Sequence, residues 1–440
     1  MRRLLLCLTF LLASCAVSSG MDRAPAPIGT GADTLDAIAR DYVALTLEIG
    51  EREPGYVDAY YGPAEWQAAA KAAPRTVPQL AEGAEALTAR LSAFEAADMD
   101  AAAMQRRRYL AAHVAAASAR LRMLSGEKLG FADEAEALFG IRPELQPLSD
   151  YDAVLTRIDA LVPGPGPLLD RVTAFRQAFV IPKDRLEPVM HAAIAECRAR
   201  TVRHIALPAN ESFTLALVGD KPWSGYNYFQ GGAASKIEIN ADFPIYTERA
   251  IDLGCHEGYP GHHVYNALLE QTFVREKGWM EMSVYPLFSP MSLIAEGSAN
   301  YGIDLAFPGD EAQAFERDVL MPMAGLAPAD VAKKAELLGL TRQLMRAEYT
   351  IADDYLAGRV GREETIARLS KYSLTPMDKA AQRLRFIDTY RSYIINYGLG
   401  RDLVQAWVEG QGDGTRGPDH WATMQRLLAS QTLPVDLEPR

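Results

Sequence analysis

The chain is expected to be mainly α, with a large helical scaffold and a small β-sheet beside a pair of helices that bind a metal ion. Three observations carry this. Apolar residues recur at helical spacing over most of the 440 residues, one short interval has strand texture, and His256-Glu257-Gly258-Tyr259-Pro260-Gly261-His262-His263 gathers three of the chain's seven histidines around a carboxylate.

The first element is a leader. Met1-Arg2-Arg3 precedes an apolar run from Leu4 through Leu12 that is too short to span a bilayer and has the shape of a secretory signal. It runs into Leu12-Ala13-Ser14-Cys15, which resembles the lipobox of bacterial lipoproteins. That likeness implies removal of residues 1–14, lipidation of Cys15 and lasting attachment to a membrane through its acyl chains. Ala16 in the next position favours, by the same analogy, the outer membrane facing the periplasm, and residues 15–33, rich in Ala, Pro, Gly and Ser, read as a lipidated flexible tether.

The formal charge is −12, and loss of Arg2 and Arg3 makes it more negative still. Nucleic acid is therefore not an expected partner, and no later segment is apolar enough for a membrane span. With Cys7 in the leader and Cys15 lipidated, Cys197 and Cys255 are left. Cys197 continues the stripe Leu186, Val189, Met190, Ala193, so a buried thiol is the expectation, with pairing to Cys255 open.

Residues 34–203 read as successive helices. Leu110, Val114, Ala117, Leu121 and Leu124 mark one core face, and the Arg106 to Arg108 run is expected largely in solvent. His113 and His191 lack companions at ligand spacing and are taken as structural; Asp58, Tyr60 and Tyr61 are taken as a packed aromatic turn. Residues 204–440 form the second region, packed as one unit with the first. Phe213 to Val218 and Lys236 to Asn240 read as strands, separated by an aromatic, glycine-rich loop over 221–232. Helical periodicity returns near Pro244, and no fixed-period repeat interrupts it.

The histidine motif departs from the helical H-E-x-x-H pattern, in which ligands four residues apart share a face. Its i+4 position is Pro260, whose ring clashes with the carbonyl of His256. On an ideal helix His263 would face with His256 while His262 pointed away by about 120°. A two-residue bulge at Pro260-Gly261 reverses this and makes His262 the ligand, with His263 the alternative. A catalytic zinc keeps three protein ligands and an open position. Glu296 is the candidate third ligand, about two turns into a helix that begins at Ser289-Pro290, with small residues beside it.

His256-Glu257-x-x-Pro260-Gly261-His262-His263 followed by Glu296-Gly297 resembles the bacterial domain-of-unknown-function family 885, similar in turn to thermolysin-type zinc metallopeptidases. The likeness extends to Trp223, Tyr226-Asn227, Lys236 to Asn240 and Tyr397-x-x-Gly400, whereas Ser298 stands where family members commonly have Trp. It implies a thermolysin-like core in which one zinc ion is held by His256, His262 and Glu296, and Glu257 is the general base. The chemistry agrees: zinc acidifies water and polarises a carbonyl, and an adjacent free carboxylate takes the proton. Tyr397 is the first candidate to stabilise the oxyanion, with Tyr393 and His263 behind it; Asn240 and its strand are candidates to bind an extended peptide, and His263 is a further substrate-binding candidate.

The resulting expectation is zinc-dependent hydrolysis of peptides in the cell envelope. The alternatives are a noncatalytic envelope lipoprotein with a metal site or peptide-binding groove, and a metal-dependent hydrolase of a nonpeptide amide. Other divalent metals suit the same ligands. Endo- or exopeptidase action, side-chain preference and oligomeric state are not written in the pattern.

Overall fold

Helix follows helix from Leu35 onward because apolar residues repeat every three to four positions and bury one stripe of each. The computed structural model describes residues 34–94, 99–410 and 418–438. The expected leader, Cys15 and tether lie outside them. Thr34–Arg440 cluster as one compact unit, and the structure is mainly helical with little sheet. No helix among the described residues is long and apolar enough to cross a membrane.

The scaffold helix Ala101–Leu124 buries Leu110, Val114, Ala117 and Leu121 as its periodicity requires, whereas Leu124, expected on the same face, is exposed at the end of the helix. Arg106 departs from the solvent position expected of it. It is 5% exposed, and its guanidinium forks onto Glu281, with the Nε bond at 2.7 Å, while also reaching Asp36. A buried arginine needs such partners, and these lie far away in sequence. His113 is buried and sits 2.8 Å by Nδ1 from the Tyr109 carbonyl.

Among the described residues, five strands form two sheets. β1 (Val57–Tyr60) pairs antiparallel with β5 (Val284–Pro286); β2 (Ser212–Val218), β4 (Ala234–Asn240) and β3 (Gly225–Gly231) form the other, in that order. β2 runs parallel to β4, and β3 runs antiparallel to it. The interval expected as a loop therefore contains an edge strand. Its alternation of Tyr226 and Tyr228 against Asn227 and Phe229 suits a pleated ribbon. Gly231 and Gly232 make the turn into β4 at φ of 76° and 65°.

The helix Lys183–Thr201 lies against the segment that carries the histidine motif. Gly254 allows this, since a Cβ there would come within 3.1 Å of the Ile194 backbone nitrogen. The close approach brings Cys197 and Cys255 to a Cα separation of 5.3 Å, and they are joined by a disulfide. The expectation of a buried thiol at Cys197 is thus corrected: the sulfur is buried but bonded, one residue before His256.

Candidate metal centre

The helix Thr247–Leu253 does not continue regularly through the motif. It widens into a π-turn over Gly254–Gly258, where the Tyr259 amide reaches back to the Gly254 carbonyl, and the chain then leaves helical geometry at Tyr259. A cis Tyr259-Pro260 peptide and Gly261 follow, and a new helix starts at His262. Gly261 is obligatory, because a Cβ would fall 1.8 Å from the His256 carbonyl oxygen. Pro260 packs on the helix Pro290–Ala306 at Gly302, where a Cβ would lie 2.8 Å from the proline ring.

The break brings His262 back over His256, with Nε2 atoms 3.1 Å apart. Glu296 comes from the helix Pro290–Ala306, and its Oε2 lies 3.2 Å from His256 Nε2 and 3.7 Å from His262 Nε2. Its other oxygen accepts a 2.8 Å hydrogen bond from Tyr393. Close packing sets this depth: a Cβ on Gly297 would sit 2.5 Å from the Gly400 carbonyl carbon, so the helix Ile395–Gly410, which also carries Tyr397, touches backbone to backbone beside the carboxylate.

These atoms suit a small divalent cation. Two imidazole nitrogens facing each other at 3.1 Å can share either a proton or a metal cation, and Glu296 Oε2 is buried without a hydrogen-bond partner. A tetrahedral zinc with bonds of about 2.0–2.1 Å has edges of about 3.3–3.4 Å, which the three separations bracket. A Glu257 carboxylate oxygen also comes within 4.8 Å of both imidazoles. Glu296 is the closer-set of the two carboxylates, and Glu257 stands beside the cluster.

Electrostatics follow from burial. Desolvation raises Glu257 above the usual carboxylate range, opposed by His256 and His262 and assisted by Glu296. Burial works against a charged His262, but the Glu296 carboxylate, with Glu257 and Asp58 behind it, pushes this imidazole up to about 9. Glu296 is held well below its ordinary value; burial opposes this, and the two histidines outweigh it. Burial likewise keeps the Tyr397 hydroxyl protonated, with the Glu296 charge adding to the effect.

A cavity of about 940 Å³ opens on this cluster and is lined by His256, Glu257, His262, Glu296 and Tyr397. Tyr397 lies with its ring 6.3 Å from that of His256 and nearly parallel to it. The Tyr393 hydroxyl is engaged by Glu296. His263 is placed elsewhere: it is fully buried, with Nδ1 2.8 Å from Ser235 Oγ and Nε2 3.1 Å from Glu211 Oε2. It does not line the cavity, so the structure does not support a ligand, oxyanion or substrate-binding place for it. Asn240 is also turned away. Its amide nitrogen donates to the carbonyls of Lys221 and Trp223, its oxygen accepts from the Asp242 amide, and its strand is central in the sheet with both edges paired.

Within the three-stranded sheet, β3 borders the cavity, through Gly225, Tyr226 and Asn227. Asn227 donates to the Glu257 carbonyl at 2.6 Å, and its own amide oxygen is buried without a partner. A Cβ on Gly225 would lie 2.7 Å from Glu257 Oε1, so this glycine makes the space in which the carboxylate sits. Asp58 was taken for part of a packed turn but also lines the cavity, hydrogen-bonded to the Tyr226 hydroxyl. Burial pushes it up to about 6, against the pull of Tyr226 and His262. Its signal was an acidic residue amid aromatics; its partner, β5, is over two hundred residues away.

No family model and no curated protein matches this chain. Among solved structures, a Colwellia psychrerythraea protein described as a "putative lipoprotein" is similar with a TM-score of 0.50 and 14% identity, over 82% of this chain and 68% of that one. An M32 carboxypeptidase from Deinococcus radiodurans R1 aligns at 13% identity over 89% and 87% of the two chains with a TM-score of 0.35. The first likeness speaks for the fold; the second is too loose to carry an argument.

Proposed function

We propose that the protein is a zinc-dependent hydrolase of peptide bonds in the cell envelope. The observation that carries this is the convergence of His256, His262 and Glu296 at 3.1–3.7 Å, with Glu257 beside them at a large cavity. Zinc held by these three residues would acidify water and polarise the scissile carbonyl.

The chain's own groups account for the remaining work. Glu257, raised by burial, is positioned to take a proton from the attacking water and pass it to the leaving amine. Tyr397 keeps its proton and can donate to the developing oxyanion. The edge strand β3 offers backbone to an extended peptide along Gly225–Asn227, taking the role expected of the strand ending at Asn240. The lipobox-like Cys15 segment and a disulfide, a bond that persists in oxidising compartments, support an envelope location.

The test is metal content together with turnover. The purified protein is expected to hold one zinc per chain, and Glu257→Gln is expected to keep the metal while lowering kcat on peptides by about 10²–10⁴-fold. Absence of stoichiometric metal binding, or undiminished hydrolysis by the variant, would sink the proposal.

A further inference from the structure

Away from the ligand cluster, the cavity wall is cationic. The helix Met377–Tyr390 brings Lys379 and Arg383 to it, and Arg249 joins them from the helix Thr247–Leu253. Most cations here are already matched within the chain. Arg383 grips Glu348 through two nitrogens, Arg249 meets Asp252 at 3.2 Å, and Arg346 meets Asp402 at 2.6 Å.

Lys379 is different. Among the described residues no carboxylate forms an ion pair with it, and its Nζ rests 4.4 Å from the centre of the Phe243 ring. Burial, then the charges of Arg249 and Arg383, push it down to about 8 against the pull of Asp378 and Asp242, so most of it is still charged at neutral pH. Its backbone belongs to the first turn of that helix, where its amide donates to the Asp378 carboxylate at 2.8 Å while its ammonium forms no ion pair with that group. Because the arginines are paired, Lys379 is the cation of the group that is left without an ion pair, with Asp378 and Asp242 acting on it from farther off. That matches a single carboxylate better than a doubly charged phosphate.

The location relates this charge to the metal centre. The Arg383 guanidinium carbon lies 5.9 Å from the Tyr397 ring centre, and that ring lies over His256. An anion held beside Arg383 is therefore one aromatic ring removed from His256, and the two offsets of 5.9 and 6.3 Å put at most about 12 Å between that guanidinium carbon and the His256 ring, a gap that at most about four extended residues span at about 3.3–3.6 Å each.

We propose that Lys379, flanked by Arg383 and Arg249, is a subsite for the free C-terminal carboxylate of a peptide, which makes the protein a C-terminal exopeptidase. This rests on the hydrolase reading. Water adds across a peptide bond within about the last four residues, the carbonyl carbon becomes a new carboxylate, and the amine leaves with the proton on a released amino acid or short peptide.

The test uses zinc-loaded protein and synthetic peptide pairs that differ only in ending as carboxylate or carboxamide, with products read by mass spectrometry. The acid is expected to be cut within about its last four residues, with kcat/KM about 10- to 100-fold above the amide. Lys379→Met is expected to bring that ratio near one, chiefly by raising KM for the acid, and Lys379→Arg to restore much of it. Equal cleavage of both forms, internal cleavage, or a ratio untouched by Lys379→Met overturns the subsite while leaving the hydrolase reading in place. Calorimetry on Glu257→Gln protein separates the two readings. Lys379-dependent binding of the acid form, in a protein whose wild type cuts nothing, upholds the subsite and removes the hydrolase; equal binding of acid and amide overturns the subsite.

Discussion

Two regions meet at the start of the helix His262–Leu269, one on each side of a pair of adjacent histidines. On the His263 side every polar atom is matched. A carboxylate only accepts, so His263 Nε2 carries the proton to Glu211 and leaves Nδ1 to take the Ser235 hydroxyl; Tyr259 adds a 2.6 Å hydrogen bond to Glu211, and Arg198 pairs with its other oxygen. On the His262 side the polar atoms outnumber their partners. Two imidazole nitrogens abut, Glu296 Oε2 and Asn227 Oδ1 are buried without a hydrogen bond, and a cavity opens over them. Both sides hold histidine and glutamate at similar distances. The difference between them lies in closure: a satisfied cluster fastens the chain, whereas an unsatisfied one at a cavity is built for something that binds.

The largest expected effect comes from exchanging the two sides. His262→Ala is expected to weaken zinc binding on the order of 10³-fold, as loss of one of three ligands implies. His263→Ala should leave zinc affinity within about threefold and instead cost about 1–3 kcal/mol of folding stability, because Glu211 and Ser235 lose a buried partner. Chelator competition and thermal unfolding measure the two quantities. Equal metal losses in the two variants would erase the distinction.

How much of this was visible in the chain depends on how local the cause is. Pro260 at i+4 announced that the metal helix must break, because a ring without an amide hydrogen cannot continue it, and Ser289-Pro290 marked the start of the helix that carries Glu296. Tyr397-x-x-Gly400 gained its meaning only when Gly400 was found against Gly297. What was missed depended on distant partners. Arg106 is buried by Glu281, Asp58 reaches the cavity because β1 pairs with β5, and Cys197 finds Cys255 because Gly254 lets two helices touch. Strand β3 was hidden by its terminal glycines, although its alternating aromatics were a usable signal.

Gly225 sharpens the open side of the comparison. A methyl group there would stand 2.7 Å from Glu257 Oε1 and 2.8 Å from Leu253 Cδ2, so the carboxylate must move by a sizeable fraction of an ångström. Gly225→Ala is expected to lower kcat on peptides by about 10- to 100-fold, since small misplacements of a catalytic group cost rates of that order. Metal content should not change, because His256, His262 and Glu296 do not touch this position. Steady-state kinetics beside metal analysis tests it; full activity would mean that Glu257 does not work from its place against β3.

The smallest effect belongs to the closed side and appears in stability alone. Burial opposes a charged Glu211, but His263, Tyr259 and Arg198 outweigh it and lower its carboxyl from 4.5 to about 2. A carboxyl depressed in the folded state contributes stability that is fully present above about 4.5 and disappears as pH falls from there towards 2. Glu211→Gln should therefore lower the melting temperature at pH 7 by a few degrees, corresponding to about 1–3 kcal/mol, and the gap from wild type should close as the medium is acidified through that window. Zinc content at neutral pH should be unaffected. Loss of metal from this variant would show that the closed network also positions His262, making the two sides one coupled device.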